Sequence, residues 1–173
     1  PKGPGVIQWN GSHDGRAWEA WLGARRKNIY YGDIRSRRTI GYKLRLEAET
    51  AVMMNAYVMP SRVATNVVMR FLHRRGGLVL MPSAPPGLEQ FRVVTCDPAW
   101  TAALLARPEA AALVASLVEF RSGWGESGDI CFQPGRLHYT SAQLQPEDVD
   151  VEKVAATLQH LAALARAAER LPP

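Results

Sequence analysis

Between Ile40 and Ala48 apolar and polar side chains alternate without a break. Ile40, Tyr42, Leu44, Leu46 and Ala48 fall on one side, and Gly41, Lys43, Arg45 and Glu47 on the other. That period of two predicts a strand with one buried face and one wet face. A shorter Trp-rich segment, Gly15–Leu22, predicts a second strand, entered through the turn signal His13-Asp14-Gly15. Between the two strands, Ala24–Arg38 reads as a long loop or a second hairpin carrying Tyr30 and Tyr31. Val52–Met59 is an apolar run broken only by Asn55, compatible with a central strand or a buried helix. From Ser61 to Arg75 the stripe Val63, Val67 and Phe71 favours a helix, closed by Gly76-Gly77. Leu78–Met81 and Phe91–Thr95 read as strands either side of the proline-rich loop Pro82–Gly87.

The second half turns helical. Asp97-Pro98 has the order of an N-cap followed by a first-turn proline, and Trp100, Leu104 and Leu105 supply the apolar face behind it. Arg107-Pro108 interrupts that helix, because proline disfavours α geometry in the residue before it. A second helix is predicted from Pro108 to about Phe120. Ile130–Phe132 and Leu137–Thr140 flank the Pro134-Gly135 turn as a hairpin. A last helix, roughly Asp148 to Arg170, carries the seam Val151, Val154, Leu158, Leu161, Ala165 and Ala168. Its small residues would pack closely against the core or against a partner helix, so this helix is also the candidate oligomer contact. The pattern predicts a single α+β domain over residues 1–173: an antiparallel sheet packed against helices, with a long C-terminal helix and residues 1–10 as an extended start.

Composition narrows the class. With 47% apolar and 21% charged residues in 173, the chain is globular and long enough to bury about 70% of its unfolded surface. No apolar run reaches the roughly 20 residues of a membrane span, and no apolar segment of a signal peptide opens the chain. Charge is divided: residues 1–75 carry 14 Lys/Arg against 5 Asp/Glu, and residues 76–173 carry 7 against 11. The excess is densest at Arg25, Arg26, Lys27, Arg35, Arg37 and Arg38, which face only Asp33 within Ala24–Arg38.

Three stretches imitate chemistry. Ser12-His13-Asp14 has the residue types of a hydrolase triad, but a triad needs side chains converging from separate segments, so the reading is a turn. Gly123–Gly128 satisfies GxGxxG but follows a helix and precedes a strand, the reverse of a dinucleotide site. Glu147, Asp148, Asp150 and Glu152 lack the ligand spacing of a calcium loop, and acids at a helix start are favoured by its dipole alone. His73, His138 and His160 lie in separate elements. Cys96 and Cys131 belong to no metal motif and read as two small buried hydrophobes, with a disulfide as the alternative. No cofactor, metal or catalytic residue is expected, and an enzyme is not.

The basic stretch remains. It can serve as a charged edge that blocks sheet-to-sheet pairing. It can also hold a domain to an anionic membrane, where each Lys or Arg near the surface contributes about 1 kcal/mol, or to an acidic protein partner. Interleaved Tyr30 and Tyr31 leave a third use, stacking the bases of a nucleic acid whose backbone the cations track.

Four segments, Tyr57-Val58-Met59-Pro60, Phe91–Trp100, the helix with Leu104-Leu105, and Gln133–Tyr139, occur in an order that resembles soluble regions of uncharacterised bacterial proteins with transmembrane helices upstream. The resemblance implies a soluble domain of a bacterial membrane-associated protein, at the cytoplasmic face of the membrane beside an anchor, and no catalytic residues. The expectation is therefore a non-enzymatic domain whose basic N-terminal half faces anionic lipid or an acidic partner, with a nucleic-acid-binding module using residues 24–38 as the alternative.

Overall fold

The computed structural model describes residues 6–61, 77–84, 86–118, 128–145, 148 and 150–172. Among the described residues eight strands form one antiparallel sheet: β1 (Val6–His13), β2 (Arg16–Tyr31), β3 (Ile34–Glu49), β4 (Ala56–Pro60), β5 (Val79–Leu80), β6 (Phe91–Thr95), β7 (Asp129–Gln133) and β8 (Arg136–Thr140). Their order in the sheet is β1-β2-β3-β8-β7-β4-β6-β5, so the late hairpin inserts between the first three strands and the middle ones. Three helices accompany it among the described residues: α1 (Pro98–Leu105), α2 (Pro108–Leu117) and α3 (Val151–Glu169). The chain is a single α+β domain, with helices packed on one face of the sheet.

Alternation along the strands decides which residues meet the helices. Leu44, Leu46 and Ala48 of β3 pair across to Leu22, Ala20 and Trp18 of β2, and Leu46 and Ala48 also pair with Tyr139 and Leu137 of β8. This face joins Val58, Val93, Ile130 and Phe132 in one core with Trp100, Leu104, Leu105, Val114, Leu161 and Leu164 from the helices. Trp100 meets Phe132 edge-to-face with ring centroids 5.7 Å apart, an arrangement aromatic quadrupoles favour. On the opposite face Tyr57, Val94 and Cys131 make a smaller buried cluster with Met59 and Leu78.

The helix signals hold. Asp97 caps α1 by accepting from the Trp100 N–H at 2.9 Å, with Pro98 in the first turn. Asp150 caps α3 by accepting from the Glu152 N–H at 3.0 Å. The α3 seam is buried at Leu161, Ala165 and Ala168, half-buried at Val154 and Leu158, and exposed at Val151. Val154 and Leu158 pack against the core from the first half, and full burial is reached in the second, where Leu164 and Ala167 widen the stripe.

Several expectations change. Residues 6–10 belong to an edge strand rather than an extended start, since β1 pairs with β2 from Val6↔Gly23 to His13↔Arg16. The turn between them runs through Asp14 (φ 50°) and Gly15 (φ 74°), two left-handed residues that suit a tight hairpin. The apolar run Val52–Met59 is a strand only from Ala56. The expected helix at Ser61–Arg75 lies outside the described residues, apart from Ser61. Cys96 and Cys131 do not form a disulfide; Cys131 is buried, and Cys96 is exposed rather than a buried hydrophobe.

Candidate functional site

The basic stretch is a hairpin, not a loop. β2 and β3 are each 16 residues long, but their neighbours cover only their lower halves. β1 reaches Gly23, and β8 reaches Arg45. A short continuation beside β3, the Tyr42–Leu144 bridge, ends the support. Beyond it, Arg26–Tyr31 and Ile34–Thr39 pair, among the described residues, only with each other. Six residues at about 3.4 Å each make a two-stranded ribbon of about 20 Å. Every residue from Gly32 to Thr39 is exposed. At its tip Tyr30 is 65% and Ile34 70% exposed.

A bulge at the base of the ribbon decides which cations share a face. Arg25 pairs with Gly41 and Arg26 with Thr39, so Ile40 is the extra residue on β3. Gly41 has φ +152°, and a Cβ there would lie 2.7 Å from Gln143 Cγ and 2.8 Å from the Leu144 carbonyl oxygen. Glycine therefore lets residues 143–144 close over the bulge. Gln143 fastens it: its Nε2 donates to the Ile40 carbonyl at 2.5 Å, and its Oε1 accepts from Arg25 Nη1 at 3.3 Å. The strict alternation read from Ile40 to Ala48 thus holds from Tyr42 onward, and Ile40 falls in the irregularity.

Because a bulge shifts alternation by one residue, Arg35 and Arg37 are not on the face of Lys43 and Arg45. The register places Arg26, Arg35, Arg37 and Tyr30 together on the side that continues the helix-covered face, with Tyr30 directly opposite Arg35. Lys27 and Arg38 are opposite each other on the other side, with Ile29 and Ile34. That side continues the open face of the sheet, where Arg25, Lys43 and Arg45 lie. Five of the six cations singled out by sequence lie on the ribbon, divided between its faces, and Arg25 is engaged at the bulge at its base. Tyr31 stands opposite Ile34 next to the turn.

The open face carries features that sequence reasoning passed over. Val6, Trp21, Lys43, Arg45 and Thr140 border a shallow groove of about 350 Å³. Lys43 and Arg45 pull the Asp129 carboxyl down, but burial outweighs them and leaves its pKa raised. Farther from the ribbon, Glu47 accepts from Arg136 Nη1 at 2.8 Å and lies 3.1 Å from His138 Nδ1. Burial pushes the pKa of His138 down, and Glu47 partly restores it. Lys43 and Arg45 had been read only as the wet side of a strand. The glycine at position 41, inside an otherwise alternating run, was the available sign of a bulge.

The imitation motifs resolve into structure where they are described. Ser12 and His13 end β1, and Asp14 in the turn accepts from Arg166 Nη1 at 2.6 Å. Asp150 is a helix cap. Gly123–Ser127 lies outside the described residues. His160 Nδ1 is 3.2 Å from Ser116 Oγ. Among the described residues no three His, Cys, Asp or Glu side chains gather as metal ligands. No helix among them is long and apolar enough to cross a membrane.

The class defined by fold and site is an α+β domain with a protruding basic ribbon. No family model matches the chain, and no curated protein does. Among solved structures it is similar to the mycobacterial trehalose monomycolate transport factor A, with a TM-score of 0.53 at 8% identity, over 95% of this chain and 72% of that one. At that identity the likeness concerns the fold.

Proposed function

We propose that this is a non-enzymatic, membrane-associated domain that docks on anionic lipid headgroups through the β2–β3 ribbon. The observation that carries the reading is the ribbon itself. It stands clear of the sheet, with cations exposed on both faces and one acid, Asp33, near its turn. Ile34 adds exposed apolar surface where a bilayer interface would accept it. A fold like that of a trehalose monomycolate transport factor is compatible with an accessory role in transport at a membrane.

A second reading has its own observation. Tyr30 lies opposite Arg35 and diagonal to Arg37, with Arg26 farther along the same face, an arrangement that suits base stacking along a single strand. Co-sedimentation with neutral and with anionic vesicles across a salt series tests the first reading. Binding confined to anionic vesicles and weakened by salt supports it, and no binding to either overturns it. Salt-dependent binding of single-stranded oligonucleotides, lost in Tyr30→Ala, would favour the second.

A further inference from the structure

We infer that the membrane-facing surface is one face only: the open face of the sheet and its continuation onto the ribbon through Ile29, Ile34, Lys27 and Arg38. The inference rests on the membrane reading above and adds which side of the ribbon meets lipid. Its origin is the bulge at Ile40. Without that extra residue, Arg35 and Arg37 would share a face with Lys43 and Arg45, and Arg38 would not. With it, Lys27 and Arg38 align with Lys43 and Arg45 along a single surface.

Two properties separate this face from the reverse side of the ribbon. It is amphipathic: Ile29 and Ile34 lie among Lys27 and Arg38, the mixture of apolar and cationic side chains that rests in the headgroup region. The reverse side carries Arg26, Asn28, Arg37 and Arg35 with Tyr30, and no aliphatic side chain larger than that of Thr39. The chosen face is also continuous with the Lys43–Arg45 region of the sheet, which none of the described helices covers, so a bilayer can meet the ribbon and that region together. On the reverse side the ribbon joins the face on which α1, α2 and α3 pack. Its charge is ordered as well. Lys27, Arg38, Lys43 and Arg45 lie toward the ribbon, with Asp129 beside Lys43 and Arg45, and Glu47 and Glu19, which pair across β2 and β3, lie at the far end with Arg136. That gradient tips the ribbon end toward an anionic surface. The occupant is therefore an anionic bilayer.

The test uses two charge-matched triple variants of the full chain. Lys27→Ala/Arg38→Ala/Arg45→Ala clears the open face, and Arg26→Ala/Arg35→Ala/Arg37→Ala clears the reverse side. All six side chains are exposed, and each variant removes three positive charges. Binding is measured to phosphatidylcholine vesicles with and without phosphatidylglycerol. Three lipid-facing cations correspond to a loss on the order of 100-fold, expected for the first variant. Less than roughly 10-fold is expected for the second, because its charges sit farther from the surface and are partly screened. Equal losses, or the larger loss in the second variant, overturn the face assignment while leaving ribbon docking in place. Wild-type chain that binds neither vesicle overturns the docking reading itself, as does binding to oligonucleotides alone. Matching thermal unfolding of both variants and wild type shows that a difference in binding is not a difference in folding.

Discussion

Arg16, the first residue of β2, grips Glu169, the last residue of α3, with both arms of its guanidinium, across 153 positions of sequence. The same carboxylate accepts from Thr50 Oγ1 at 2.9 Å and from the Ala51 N–H at 2.8 Å. One side chain thereby ties the end of the C-terminal helix to β2 and to the loop after β3. These partners hold the Glu169 pKa down at about 2, with the Arg16 hydrogen bonds the largest cause.

Because that pKa lies below the ordinary value, the ionised carboxylate is favoured in the folded state. Its contribution is fully present above pH about 4.5 and lost as pH falls toward 2. Glu169→Gln is expected to destabilise the domain by about 1–2 kcal/mol at neutral pH, the low end for charge-assisted hydrogen bonds because the pair is partly solvated. Chemical denaturation at pH 7 and pH 3 checks both parts: the gap between wild type and variant should narrow at the lower pH. A gap that is constant with pH contradicts the assignment.

Gly41→Ala should cost about 1–3 kcal/mol, since the new Cβ meets the Leu144 carbonyl at a φ that L side chains rarely adopt. Equilibrium unfolding measures the loss. Hydrogen exchange should also rise at the Tyr42 and Leu144 amides, which bond each other's carbonyls at 2.8 Å. An unchanged stability would mean that the bulge is not held as described.

Trp100→Ala removes the ring that covers Phe132 and should destabilise by about 3–5 kcal/mol, the range for deleting a large buried aromatic. Thermal unfolding reads it directly. A loss below about 1 kcal/mol would contradict a close-packed contact between α1 and the centre of the sheet.

His138 should titrate below 6.5, because burial disfavours its charged form. Glu47 opposes that shift, so Glu47→Gln should lower the midpoint further. Side-chain NMR titration follows both. A midpoint that rises in the variant would show that Glu47 does not act on the imidazole as the geometry requires.

Much of this fold was legible from the chain, and the reasons are local. Period-two alternation over Tyr42–Ala48 marks a half-buried strand because successive side chains point to opposite faces. Asp97-Pro98 marks a helix start because both residues satisfy its first turn. The Pro134-Gly135 turn marked the late hairpin. What could not be read depended on distant partners. β1 has little period-two contrast, and its place was set by pairing with β2. Val151 fits the α3 seam by spacing yet is 84% exposed, because the body of the domain ends before it. The candidate site shows the same division. The cations were visible as a cluster, but their sorting into two faces depends on one extra residue at Ile40, held by Gln143 about a hundred positions away.

The central claim is that the ribbon holds the domain to anionic membrane. It is tested most directly by removing the ribbon alone. Replacing residues 27–38 with Asn-Gly joins Arg26 to Thr39 through a tight hairpin turn and leaves the core untouched. Vesicle co-sedimentation then compares this shortened chain with wild type. The account predicts salt-sensitive binding to anionic vesicles by wild type and its loss in the shortened, still folded chain. Equal binding by both would contradict it.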